Sequence, residues 1–205
     1  MLRQIVAAAA LVAPLLASAA PVTDVVDHTD NGSQGTFFVP DDSQTFNSPY
    51  YRGNGQDWGW RHSAIAGTFS TIQLSISAFD VDDAFGEVDR IQAFNVTTST
   101  WVTLGDLEGI DSAYAFTDFD LNTATWQASV NDGLQVRMLI DVNDDGWLVS
   151  LAKSTLNIDG GNQSCVPTPG APCTPTGVPE PGTLALVGLA LAGAGITRRR
   201  LQRTK

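Results

Sequence analysis

The chain has 205 residues, with 22 acidic against 11 basic side chains and a formal net charge of −11. A field of that sign repels nucleic acid and anionic lipid, and suits cation binding or simple solubility. Once both ends are set aside, about 140 residues remain, enough for one respectable core and not for a second domain.

At the N-terminus, Met1, Leu2 and Arg3 form a basic n-region, residues 5–16 an apolar h-region, and Ala17, Ser18, Ala19 and Ala20 a small-residue cleavage zone. This pattern reads as a secretory signal peptide over 1–20, cut after Ala19 or Ala20 and discarded. The domain that follows, 21–159, opens on a polar, acidic stretch expected to be loosely held. Residues 36–39 are a short strand candidate ended by Pro40. Residues 46–60 are rich in Gly, Asn, Ser and aromatic side chains and read as a long loop.

From Phe69 onward the pattern is β. Ile72, Leu74, Ile76 and Ala78 alternate with Thr71, Gln73, Ser75 and Ser77 at the two-residue period of a half-buried strand. Further strands are expected at 90–96, 101–104, 114–119, 125–129, 134–140, 147–151 and 156–158. In the 134–140 segment the inward set is Leu134, Val136, Met138 and Ile140. Turn residues separate these runs at Gly105-Asp106, Glu108-Gly109, Asn131-Asp132-Gly133 and Asp144-Asp145-Gly146, and no amphipathic helix of useful length stands out. Seven or eight short strands with such turns predict an all-β fold, an antiparallel β-sandwich of the jelly-roll type.

Residues 160–177 turn to Gly, Pro, Thr and Cys and read as an extended linker. Cys165 and Cys173 lie inside it, in a compartment that permits oxidation, and are expected to form a local disulfide; no His or acid is close enough to favour a metal. The tail, 178–205, carries Pro179, Glu180 and Pro181, then a 13-residue apolar run at 184–196, then Arg198, Arg199, Arg200, Arg203 and Lys205. A helical span needs about 20 apolar residues, so this is a short, weak transmembrane helix, and the basic cluster holds its end on the cytoplasmic side. Removing both ends leaves Arg52, Arg61, Arg90, Arg137 and Lys153 against every acid except Glu180, a body of charge −16.

Two acidic constellations invite chemistry. Asp80, Asp82, Asp83, Glu87 and Asp89 crowd five carboxylates into about ten residues, which repel one another unless screened; a calcium ion, taking six to eight oxygens, is one reading and a solvated acidic turn the other. Asp141, Asn143 and Asp145 with Gly146 fit the first half of an EF-hand loop, but the twelfth position is Ala152, so the segment is either a partial ion site completed from elsewhere or an Asx-rich turn. Tyr51, Trp58 and Trp60 could stack on sugar rings, or fill the core. His28 and His62 fall in no HExxH or HxH pattern, and there is no Gly-x-Ser-x-Gly elbow or P-loop. A non-catalytic protein is therefore expected, with a polysaccharide-active enzyme or a purely structural, adhesive protein as the alternatives.

Pro179-Glu180-Pro181, the short apolar run and the Arg198–Arg200 cluster, in that order, closely resemble the PEP-CTERM sorting signal of Gram-negative bacteria. The resemblance implies recognition by an exosortase, a membrane cysteine transpeptidase, a transient inner-membrane intermediate, and delivery to the cell surface or extracellular matrix. Residues 69–158, through Asp80-Val81-Asp82, Gly86 to Asp89, Phe119-Asp120-Leu121 and the Asp141 to Trp147 segment, are similar to galactose-binding-like and carbohydrate-binding-module jelly rolls. That similarity implies a structural calcium at acidic strand ends and exopolysaccharide as a partner.

Overall fold

The computed structural model describes residues 21–32, 37–161 and 163–175. The signal peptide, the sorting residues Pro179, Glu180, Pro181, Arg198, Arg199 and Arg200, and the apolar run of the tail lie outside them. The strands are β1 (Val22–Asp27), β2 (Arg52–Gly53), β3 (Trp58–Arg61), β4 (Ile72–Phe79), β5 (Arg90–Asn95), β6 (Thr100–Asp106), β7 (Tyr114–Leu121), β8 (Gln135–Leu139), β9 (Leu148–Ile158), β10 (Gln163–Ser164) and β11 (Thr174–Pro175). One α-helix, α1 (Thr123–Asp132), stands between β7 and β8. No helix among the described residues is long and apolar enough to cross a membrane.

Two antiparallel sheets carry the fold. One runs β1-β9-β4-β7, with β2 added to β9, and the other β3-β8-β5-β6. Both contribute to a single apolar core: Leu74, Ile76, Leu151 and Leu156 from the first sheet meet Trp58, Trp60, Ile91, Val136 and Met138 from the second. The two-residue period dictates this, because each strand presents every other side chain to the same side. Ile72, Leu74, Ile76 and Ala78 of β4 are all buried, as are Leu134, Val136, Met138 and Ile140 around β8.

Several segments depart from the sequence-based expectation. Residues 125–129 are not a strand but the middle of α1. The Asn122 side chain caps the helix by accepting from Thr125 N at 3.2 Å, Gly133 with φ 94° follows its last turn, and Trp126, Ser129 and Val130 are buried at i, i+3 and i+4, the spacing of one helical face. Residues 21–30 are not loose. All six residues of β1 pair with β9, from Val22↔Ile158 to Asp27↔Lys153, and β1 hid in the sequence because at the sheet's edge only Val26 of it is fully buried. Residues 36–39 supply no strand among the described positions, whereas the stretch expected as one loop, 46–60, contains β2 and the start of β3. The two segments 147–151 and 156–158 are one strand, β9, whose register against β4 shifts between Ser77 and Ala78. That bulge interrupts the alternation at Ala152 and Lys153 and makes one long strand look like two short ones.

Residues 163–175 fold back on the first sheet instead of extending away from it. Cys165 and Cys173 are disulfide-bonded, and β10 pairs with β11. Ser77 Oγ donates to Pro167 O and Lys153 Nζ to Ala171 O. This cover explains why β4 and β9 are buried on both faces, with Ser77 and Lys153 no more than 2% exposed.

Candidate functional site

The two acidic segments that look separate in the sequence meet at one end of the sheets. β4 ends at Phe79, Asp80 turns the chain at φ 64°, and a 3-10 turn over Asp83–Phe85 closes with Gly86 at φ 101°. On the other side β8 runs out into Asp141. Three hydrogen bonds join the segments: Asp141 N to Asp89 Oδ1 at 2.9 Å, Val142 N to Val88 O at 2.9 Å, and Asn143 Nδ2 to Gly86 O at 3.4 Å.

Within this end, Glu87 and Asp89 are the most constrained carboxyl groups, 3% and 0% exposed. Glu87 Oε2 accepts from Asp82 N, and Asp89 Oδ1 is held by Asp141 N. Glu87 Oε1 and Asp89 Oδ2 are buried with no hydrogen-bond partner, and the two carboxyl groups contact each other. Burial first, and mutual repulsion after it, push the Glu87 carboxyl well above the ordinary range; burial likewise pushes Asp89 up, against the N–H of Asp141. Two buried carboxylates facing one another without a donor need a shared proton or a cation between them.

A more open group lies beside them. One oxygen from each of Asp80, Asp82 and Asp111 falls within 4.8 Å of the others. Asp80 accepts from Tyr51 Oη at 2.8 Å and from Ser112 N at 3.0 Å. Burial and the charges of Asp111, Asp80 and Asp83 raise the Asp82 carboxyl, and burial together with Asp80 raises the Tyr51 phenol. Asp111 was not singled out from the sequence. It reaches the group because Gly109 packs on Val81: a Cβ at Gly109 would lie 2.4 Å from Val81 Cβ, so only glycine lets the loop approach. A lone Glu-Gly turn signal marks the turn without revealing that approach.

The remaining expected residues divide sharply. Asp141 is wholly buried and spends both oxygens on its own turn, Oδ1 accepting from Asp145 N and Oδ2 from Gly146 N and Trp147 N. This is the Asx-turn arrangement. Asn143 and Asp145 are exposed, as is Asp83. The three aromatic residues that could stack on sugar or fill the core are divided between two places. Tyr51 stands over the acidic end against Phe46, ring centroids 5.3 Å apart, while Trp58 and Trp60 are 2% and 3% exposed in the core, Trp60 edge-on to Phe38 at 5.8 Å.

A second polar cluster escaped the sequence entirely. His62 is 1% exposed; its Nδ1 lies 2.8 Å from Asp24 Oδ2 and its Nε2 2.9 Å from Ser154 Oγ. The carboxylate accepts from Nδ1, and Nε2 shares a hydrogen bond with the serine hydroxyl. Burial raises the Asp24 carboxyl, but the hydrogen bond and charge of His62 and the Ser63 N–H outweigh it and leave it below the ordinary value. Ser154 is fully buried in the middle of β9, so the relay ties β1, β9 and the end of β3 to one another. His62→Ala, which strands the buried Ser154 hydroxyl and leaves Asp24 only the Ser63 N–H, is expected to cost about 1–3 kcal/mol in a urea unfolding titration.

The fold and this site together define a β-rich domain of two antiparallel sheets closed at one end by acid-bearing loops. Residues 177–200 match the family model described as the PEP-CTERM protein-sorting motif, which supports an exported protein recognised by exosortase on its way through the cell envelope to the surface. No curated protein and no solved structure gives a significant match.

Proposed function

We propose that the chain is an exported surface or extracellular-matrix protein of a Gram-negative cell, whose two sheets form a non-catalytic β-sandwich, stabilised by calcium at its acidic end and binding polysaccharide. The sorting motif at 177–200 supports the route, with residues 184–196 as a short inner-membrane helix before processing. The observation that carries the calcium reading is the pair of buried, unpartnered oxygens, Glu87 Oε1 and Asp89 Oδ2. An all-oxygen, anionic donor set suits a hard divalent cation, and loops of irregular geometry suit calcium over magnesium, which demands a near-octahedral shell. Glu87 and Asp89 would hold the ion, with Asp80, Asp82 and Asp111 supplying a negative approach to it; bound there, it would offset the carboxylate repulsion and lock the β4–β5 turn to the segment after β8.

The test is calcium linkage. The protein as the cell processes it is stripped with chelator and heated over a series of calcium concentrations. A site that binds only the folded state adds about 2.7 kcal/mol at a hundred times its Kd. The expected result is a melting temperature that climbs with calcium, falls back with chelator, and responds less to magnesium. An unchanged melting temperature at millimolar calcium would sink the cation reading.

A further inference from the structure

The face of the β3-β8-β5-β6 sheet turned away from the core concentrates the cations of an otherwise acidic body. Arg61, Arg90 and Arg137, three of the five basic residues left between the two terminal signals, stand on it. Arg61 is paired with Asp132 and Arg90 with Asp106, each at 2.9 Å. Arg137 is different. Its Nε donates to Gln92 Oε1 at 2.7 Å, its guanidinium lies 4.4 Å from the centre of the Trp101 ring, and among the described residues no carboxylate comes within ion-pair distance of it. Of the three arginines on this face it alone has no carboxylate partner among the described residues.

Gly59 is the cross-strand neighbour of Arg137, and among the described residues a Cβ there would meet Val136 O alone, at 3.7 Å. The missing side chain opens a shallow cleft of about 380 Å³ walled by Arg61, Gln135, Arg137 and Trp101. Phe94 supports Trp101 from the neighbouring strand, ring centroids 5.4 Å apart. The opposite sheet is covered by residues 163–175.

We infer that this face binds carboxylate-bearing polysaccharide, the Arg137 guanidinium gripping a uronate carboxylate while Trp101 lies against the sugar ring and Gly59 makes room for it. Guanidinium matches a carboxylate with two parallel N–H donors and a preorganised plane, and an indole edge or face covers the apolar C–H side of a pyranose. The net charge of −16 works against any non-specific attraction of a polyanion, so recognition has to come from this local contact. The inference rests on the polysaccharide-binding reading and gives it a place and a sugar class.

The experiment uses oligogalacturonate and its methyl-esterified counterpart as probes, titrated calorimetrically against the processed protein. The acid form is expected to bind, the ester at least tenfold more weakly. Arg137→Gln and, independently, Gly59→Val, which fills the cleft from the adjacent strand, should each lower affinity for the acid form at least tenfold with the melting temperature unchanged. Equal binding of acid and ester, or acid binding that survives both substitutions, overturns this inference and leaves the polysaccharide reading standing. Binding of neither probe overturns the inference; a screen of neutral glycans that also fails then removes the polysaccharide reading itself.

Discussion

Asp89→Asn is expected to stabilise the protein in chelator and to abolish its response to calcium. The asparagine keeps an Oδ1 for Asp141 N, which Asp89 now accepts at 2.9 Å, and replaces the unpartnered Oδ2 by an amide that donates to Glu87 Oε1. The amide supplies permanently the donor that, without a cation, the pair obtains only by taking up a proton. A hydrogen bond to a charged group contributes about 1.5–3 kcal/mol, so a gain of about 1–3 kcal/mol in EDTA is expected from urea unfolding, with no further gain when calcium is restored. Equal destabilisation in both buffers would show that the pair serves the fold in some other way.

The same pair fixes the sign of a pH dependence. Burial raises both carboxyls, so without a cation the folded chain holds more protons than the unfolded one as pH climbs through and above the ordinary carboxylate range. Stability in chelator therefore falls as pH rises over that window. At the proposed calcium site, saturating calcium should displace the shared proton and flatten that fall.

Trp60→Ala is expected to be the more damaging change by far, at about 3–5 kcal/mol for a fully buried indole, and to act through stability with no separate effect on glycan binding. Trp60 is 3% exposed and packs edge-on to Phe38 where the two sheets meet. Thermal melting checks the first half, and the oligogalacturonate titration below the melting point the second. Trp101→Ala should show the reverse pattern, because Trp101 stands on the other side of the same sheet.

How legible this was follows from the range of the interactions. β4, β5 and β8 were readable because alternation is local and their apolar sets are unbroken. The helix was missed because Thr125, Trp126, Gln127 and Ala128 mimic strand alternation, and only Asn122 before them and Gly133 after them, taken as a pair, declare a helix. β1 was missed because an edge strand needs so few apolar residues. At the acidic end the residue types were visible but their partition was not. Nothing within residues 80–89 says that Glu87 and Asp89 turn inward while Asp83 faces water, and the approach of Asp111 depends on a contact between Gly109 and Val81. Trp58-Gly59-Trp60-Arg61 did hold the answer to one question. A period of two puts both indoles on one face and Gly59 with Arg61 on the other, which makes the indoles core and leaves the second face for anything outside.

The cover formed by residues 163–175 also determines how the protein bears a pull. Tension entering from the C-terminal side meets a loop whose ends, Cys165 and Cys173, are covalently joined, so the residues between them cannot pay out as slack. The covalent path crosses the disulfide, bypassing the stretch that rests on Ser77 and Lys153 through Pro167 and Ala171, and reaches the C-terminal end of β9, a strand flanked by β1 on one side and β4 on the other. The pull thus arrives at a strand held on both sides, while the stretch lying over the sheet stays out of its path.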